Sequence, residues 1–142
     1  MLSMTAQYAL RAMVFVACQG DQDPVLAKDI AANTGVPPHY LSRILRDAVR
    51  VGLLESTRGV GGGFRLARPA KTIRLLDVLA PFDDVLGRSR CPFGQPRCHD
   101  DHPCGFHEHW KPISLAYRQM LEKTTLDEVG LEGLSGRRKR GE

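Results

Sequence analysis

No stretch of the sequence approaches the run of about 20 apolar residues that a membrane span needs. The most apolar segment, Ala9 to Cys18, is interrupted by Arg11. It also lacks the basic lead and small-residue cleavage site of a secretory signal. A cytoplasmic location is therefore expected, where thiols stay reduced and clustered cysteines bind metal more often than they form disulfides. The constellations of most enzymes are missing too: no Ser/His/Asp set, no paired carboxylates and no nucleotide-binding loop is evident. The glycine-rich segment Gly59-Val60-Gly61-Gly62-Gly63 lacks the Lys-Ser/Thr of a phosphate-binding loop. It is not a GxGxxG fingerprint either, and no helix follows it at once. Neither an enzyme nor a small-molecule substrate is expected. Cysteine is scarce, four in 142 residues, and no two have the C-x-x-C spacing of zinc ribbons and fingers.

What is present is the composition of a soluble globular chain, 42% hydrophobic and 25% charged, long enough for one ordinary compact domain with an appended arm. The net charge of +4 is unevenly spread. Residues 1–71 hold nine Lys/Arg against five Asp/Glu, whereas residues 72–142 hold eleven of each. A basic front half is compatible with phosphate binding.

That front half reads as a helix-turn-helix. Residues 3–18 are nearly all apolar after Ala6, with Gly20 as a stop, and predict a buried helix. Ala27–Thr34 predicts a short second helix closed by Gly35. Pro38 suits the first turn of a third helix, about His39–Val51. On that third helix Leu41, Ile44, Leu45 and Ala48 share one face, and Arg43, Arg46 and Arg50 share another. A short helix, a glycine-bearing turn and a helix with an apolar back and basic front form the DNA-reading pattern. Residues 53–67 then predict a β-hairpin with strands Leu53–Thr57 and Phe64–Ala67. Its glycine-rich tip makes it a wing, with Arg58 placed for a minor groove.

In the back half, Leu75–Phe82 predicts a helix broken by Pro81. Loop 83–106 is too polar to form a core of its own. From about Glu108 a helix resumes, with Trp110, Ile113, Tyr117, Met120 and Leu121 at spacings of three and four and Pro112 expected in the first turn. This stripe suits either docking on its own domain or a dimer seam, because two-fold proteins read two half-sites. Thr125-Leu126-Asp127-Glu128 has capping-box spacing and predicts a last short helix. Beyond about Ser135 the basic, Gly-rich tail is read as disordered.

Loop 83–106 holds Cys91, Cys98 and Cys104, followed by His107. Three thiolates and an imidazole at wide spacing suit an iron–sulfur cluster, the imidazole lowering the site's negative charge and raising its potential. His107 is the natural fourth ligand, three residues after Cys104 and just ahead of a helix. His99 and His102 also lie within reach of such a loop. Asp100 and Asp101 are outer partners or plain solvated charges, and His109 would point away from His107 on a helix. Cys18, on the apolar first helix, is expected to be a small buried hydrophobe. The alternative is a constitutive DNA-binding protein whose Cys/His loop holds zinc as a structural staple.

Several motifs together carry a family resemblance. Tyr8-Ala9-Leu10-Arg11-Ala12, Tyr40-Leu41, Arg58-Gly59-x-Gly61-Gly62-Gly63 and the three-cysteine loop resemble the dimeric winged-helix repressors that include the iron–sulfur regulator IscR and the nitric oxide sensor NsrR. The match covers roughly residues 1–134. The ending Cys104-x-x-His107-x-x-Trp110 is similar to IscR, where three cysteines and a histidine bind a 2Fe–2S cluster. NsrR-like members hold a 4Fe–4S cluster with an acidic residue from the first helix. This chain has Gln7 and Tyr8 there and no acidic residue between Met1 and Gly20. It departs from IscR in a gap of six rather than five residues between Cys91 and Cys98, and in lacking an acidic residue at Ser42.

The resemblance implies a mainly α fold with a small β-hairpin wing: a winged helix-turn-helix over residues 1–71, then a cluster loop and long dimerisation helix over 72–134. It implies a homodimeric regulator, a repressor, that grips a near-palindromic operator in double-stranded DNA. Its affinity would be controlled by an iron–sulfur cluster, 2Fe–2S in preference to 4Fe–4S or zinc, on Cys91, Cys98, Cys104 and His107. Tyr40, Ser42 and Arg43 would touch bases or phosphates, Arg46 and Arg50 phosphates, and Arg58 and Gly59 the minor groove.

Overall fold

The computed structural model describes residues 2–20, 23–86, 91–96 and 99–133. Cys98 and the basic tail beyond Ser135 lie outside these residues. Five helices and one hairpin are present among them: α1 (Met4–Cys18), α2 (Ala27–Thr34), α3 (Pro38–Arg50), β1 (Leu54–Thr57), β2 (Gly63–Leu66), α4 (Leu75–Leu79) and α5 (His107–Lys123). The expected mainly α architecture with one hairpin is what the chain adopts. Among the described residues no helix is long and apolar enough to cross a membrane.

The chain begins α1 where the Ser3 hydroxyl accepts the Ala6 N–H at 3.1 Å, the usual service of an N-cap serine. Ala6, Ala9, Ala12, Met13, Val14, Phe15 and Val16 on α1 are buried. This central helix packs on α2, α3, α4 and β2. Gly35 ends α2 in the left-handed conformation at φ 71°, and Pro38 opens α3 at its first position. Leu41, Ile44, Leu45 and Ala48 turn inward from α3, as their spacing predicts, so the opposite face is left to solvent.

The hairpin is antiparallel, in a register running from Leu54 opposite Leu66 to Thr57 opposite Gly63. The outer edge of β2 is tied to the residues just ahead of α2: Val25 and Phe64 exchange backbone hydrogen bonds of 2.7 and 2.8 Å. Gly63 is required there. Its φ is +144°, and a Cβ would lie 2.6 Å from the Val25 carbonyl oxygen. Gly63→Ala is expected to lower unfolding stability by about 2–4 kcal/mol. Chemical denaturation checks this, and an unchanged midpoint would contradict it.

Three expectations need correction, two in the back half and one at the end of α1. Helix α5 starts at His107, so Pro112 lies inside it rather than in the first turn. The early start arises because the Phe106 carbonyl accepts both the His109 and Trp110 N–H groups, at 3.0 and 2.8 Å. The last helix is only a 3-10 turn, Leu126–Glu128, without a side-chain cap; the Thr125 hydroxyl bonds the Asp127 carboxylate instead. Cys18 is exposed, not buried, because it is the final residue of α1. Loop 83–106 does contribute to the core through Val85, 2% exposed.

After α5 the chain returns to the base of α4. Leu75 N–H donates to the Thr124 carbonyl and Leu126 N–H to the Ile73 carbonyl, both at 2.9 Å. Leu121, Leu126 and Ile73 are thereby buried in the same core as α1. The stripe on the rest of α5 finds much less cover: Ile113, Leu115 and Met120 are exposed, while Trp110 and Tyr117 are half-buried.

Candidate DNA interface and cysteine loop

On the outer face of α3, Tyr40, Ser42, Arg43, Arg46 and Arg50 are all exposed, and on the wing so are Arg58 and Gly59. The structure thus gathers the α3 candidates on one solvent-facing surface and presents the other two at the hairpin tip. They are not equally available. Arg50 pairs with Asp47 at 3.3 Å, and the Ser42 hydroxyl donates back to the Pro38 carbonyl at 3.0 Å. Tyr40 leans on the Tyr8 ring at 5.9 Å between centroids and on His39 at 4.4 Å. His39, exposed beside Tyr40, is a further candidate that the arginine spacing did not reveal; its place just after Pro38, in the first turn of α3, is the signal that could have.

In the loop, Cys91 is buried and Cys104 half-buried. Their sulfurs are 3.0 Å apart, and both are free thiols. Gly94, at φ 86°, turns the backbone after Cys91, its N–H donating to the Cys91 carbonyl at 2.9 Å. The hydrogen bond with Cys104, helped by the N–H groups of Phe93 and Gln95, pushes the Cys91 thiol below its ordinary pKa. The same contact, with burial, pushes Cys104 up. Two sulfurs on one tetrahedral metal stand about 3.8 Å apart for metal–sulfur bonds of ~2.3 Å. Two converging thiols met by backbone N–H donors are a soft donor pair, fitted to iron or zinc rather than to hard cations.

His107 opens α5, its backbone N–H on the Cys104 carbonyl at 3.1 Å. Its ring Nε2 lies 3.1 Å from Asp100 Oδ1, the same oxygen that meets the Lys111 ammonium. Hydrogen bonding and charge from Lys111, then from His107, hold the Asp100 carboxyl below the usual carboxylate range. Asp100 thus meets His107 while most of its side chain stays exposed to solvent. Lys111 was not anticipated, although its position four residues after His107 puts both on one helix face. His99, His102 and His109 are exposed. Among the described residues, no three His, Cys, Asp or Glu side chains converge as a metal site.

The sequence over residues 2–130 matches the model of the Rrf2 family, described as iron-dependent transcriptional regulators. The chain belongs to the Rrf2 family. Among Rrf2-type relatives, IscR of Vibrio campbellii is 32% identical over 128 residues, 90% of this chain and 76% of that one. A putative HTH-type transcriptional regulator of Mycobacterium tuberculosis is 34% identical over 134 residues, covering 90% and 80%. CymR, the global cysteine regulator of B. subtilis, superposes with a TM-score of 0.73 at 25% identity over 90% of this chain and 94% of its own. IscR of T. potens has the same fold, with a TM-score of 0.69 at 23% identity, covering 90% and 84%. This Rrf2 protein is accordingly a winged-helix transcriptional regulator and not an enzyme.

Proposed function

We propose that this Rrf2 protein is a cytoplasmic homodimeric repressor whose affinity for a near-palindromic operator is set by an iron–sulfur cluster, 2Fe–2S, on Cys91, Cys98, Cys104 and His107. The observation that carries the reading is the convergence of Cys91 and Cys104 at the foot of α5. The likeness to IscR supports it. Bound there, a cluster would supply a redox-active, nitric-oxide-reactive centre; the rest falls to the protein. Backbone N–H groups receive the negative charge of the sulfurs. Asp100 accepts from His107 Nε2–H, fixing the tautomer whose lone pair is on Nδ1, the usual support of a metal-binding histidine.

Where the chain enters the cysteine loop, Phe82 and Asp83 lie against α3 and the start of α1, a route by which a change in the loop would reach the DNA-reading helix. Asp83, at the start of the loop, accepts the Ser3 N–H at 2.8 Å and so anchors the beginning of α1. Phe82 lines a cavity of about 90 Å³ together with Thr5, Tyr40, Arg43, Ile44 and Asp47. Residues 1–71 would read DNA, and 72–134 would carry the loop and the dimer helix. The exposed apolar side chains Ile113, Leu115 and Met120 on α5 suit a two-fold seam.

Protein purified without air is expected to be brown and to contain iron and sulfide in about equal amounts. A colourless protein with stoichiometric zinc would instead support the staple reading and overturn this one. His107→Ala is expected to shift the visible spectrum and the reduction potential; a native spectrum and potential would remove His107 from the ligand set.

A further inference from the structure

Among the described residues, Val60 is the most exposed large apolar side chain, at 109% of its reference area against 62% for Phe93. Single exposed apolar residues are ordinary on protein surfaces. Val60 differs in how it is presented. Gly62 N–H donates to the Gly59 carbonyl at 3.0 Å, closing a four-residue turn with Val60 and Gly61 at its centre. Gly61 has φ +76°, as the third position of a type II turn requires. Gly62 lies buried beneath, where a Cβ would fall 2.3 Å from the Thr57 carbonyl oxygen. The tip is thus a closed, thin ribbon that holds the Val60 isopropyl group outward. Across residues 58–62 the only other side chain is the exposed Arg58, and no carboxylate is present.

A glycine-walled tip matches the minor groove of B-DNA, which is about 6 Å wide. The floor of that groove carries the 2-amino group of guanine at G·C pairs and only acceptors at A·T pairs. An isopropyl group can satisfy neither hydrogen-bonding class and desolvates the acceptors of both kinds of pair, but only the guanine amino group protrudes into its path and clashes with it. We propose that Val60 enters the minor groove beside Arg58 and selects A·T over G·C by steric exclusion of the guanine 2-amino group. The inference rests on the DNA-binding reading and adds to it a specificity-determining residue.

The test uses the full chain, purified without air, and a duplex obtained by in-vitro selection with the wild-type protein. The base pair under the wing is located by minor-groove footprinting and then set to A·T, G·C or inosine·C, inosine lacking the 2-amino group. Wild type is expected to bind the A·T and inosine·C duplexes within about twofold of each other and the G·C duplex about tenfold more weakly. Val60→Ala, which removes no contact within the fold and should melt at the wild-type temperature, is expected to shrink that gap to under about threefold. Arg58→Ala is expected to weaken all three alike and keep the gap. A wild type without the gap, or a Val60→Ala protein that keeps all of it while Arg58→Ala still weakens binding, overturns the Val60 assignment and leaves the DNA-binding reading standing. Unchanged affinity of Arg58→Ala for all three duplexes removes the wing from the DNA and overturns both the wing reading and this inference.

Discussion

Cys104→Ala protein, purified without air, is expected to be colourless and to retain less than about a tenth of the wild-type iron and sulfide, while remaining folded. Cys104 is the thiol that joins the buried Cys91 to the first turn of α5. Its sulfur lies 3.0 Å from that of Cys91, and its carbonyl accepts the His107 N–H. The variant keeps that carbonyl and loses only the sulfur. The fold should survive because Cys104 is absent from the buried hydrophobic cluster, which draws on α1, α3, α4, Leu121 and Leu126. Metal analysis and far-ultraviolet circular dichroism check the two halves of the prediction. Wild-type iron and colour in the variant would exclude Cys104 as a ligand. Loss of helical signal would instead assign it a structural role.

Arg43→Ala is expected to weaken operator binding about tenfold or more at physiological salt and to reduce the salt slope by about one counterion. Arg43 stands on the second turn of α3, exposed beside Tyr40 and facing the cavity that Phe82 helps to line. It makes no ion pair among the described residues, so its charge is available for a phosphate or a base edge. Arg50→Ala is expected to have a smaller effect, because Arg50 already pairs with Asp47. Breaking an exposed pair of that kind changes stability by only about 0–1 kcal/mol. Binding titrations over a range of salt concentrations separate the two variants. Equal losses for Arg43→Ala and Arg50→Ala would contradict the ranking, and no loss for either would take α3 off the DNA.

The front half was legible because its local signals agree with its packing. Gly35 and Pro38 punctuate α2 and α3 where the backbone needs a left-handed stop and a fixed φ. The period of Leu41, Ile44, Leu45 and Ala48 selects the face that α1 and α2 cover. The back half was less legible, since its boundaries depend on contacts distant in sequence. Thr125 matches a capping box by spacing, but pairing with the residues ahead of α4 leaves room for only a 3-10 turn. Pro112 reads as a helix start, yet the Phe106 carbonyl begins the helix earlier.

In the site, residue types named the donors, and the fold decided their company. Spacing of six and five residues cannot say that Cys91 and Cys104 meet, because that depends on how the loop closes on α5. Spacing does not show that Asp100 lies against His107 and Lys111 either. The end of α1 at Cys18 was legible, but the hydrophobicity of the helix does not reveal that the core leaves this last residue exposed.

The proposed function requires the state of the cysteine loop to set the grip on DNA. It is tested most directly by titrating one selected operator duplex with matched cluster-loaded and cluster-free wild-type protein, both handled without air and at one salt concentration. Coupling through Phe82, Asp83 and α1 to Tyr40 and Arg43 predicts affinities that differ by about tenfold or more, within the usual range of coupling energies. Equal affinities of the two forms would contradict the account.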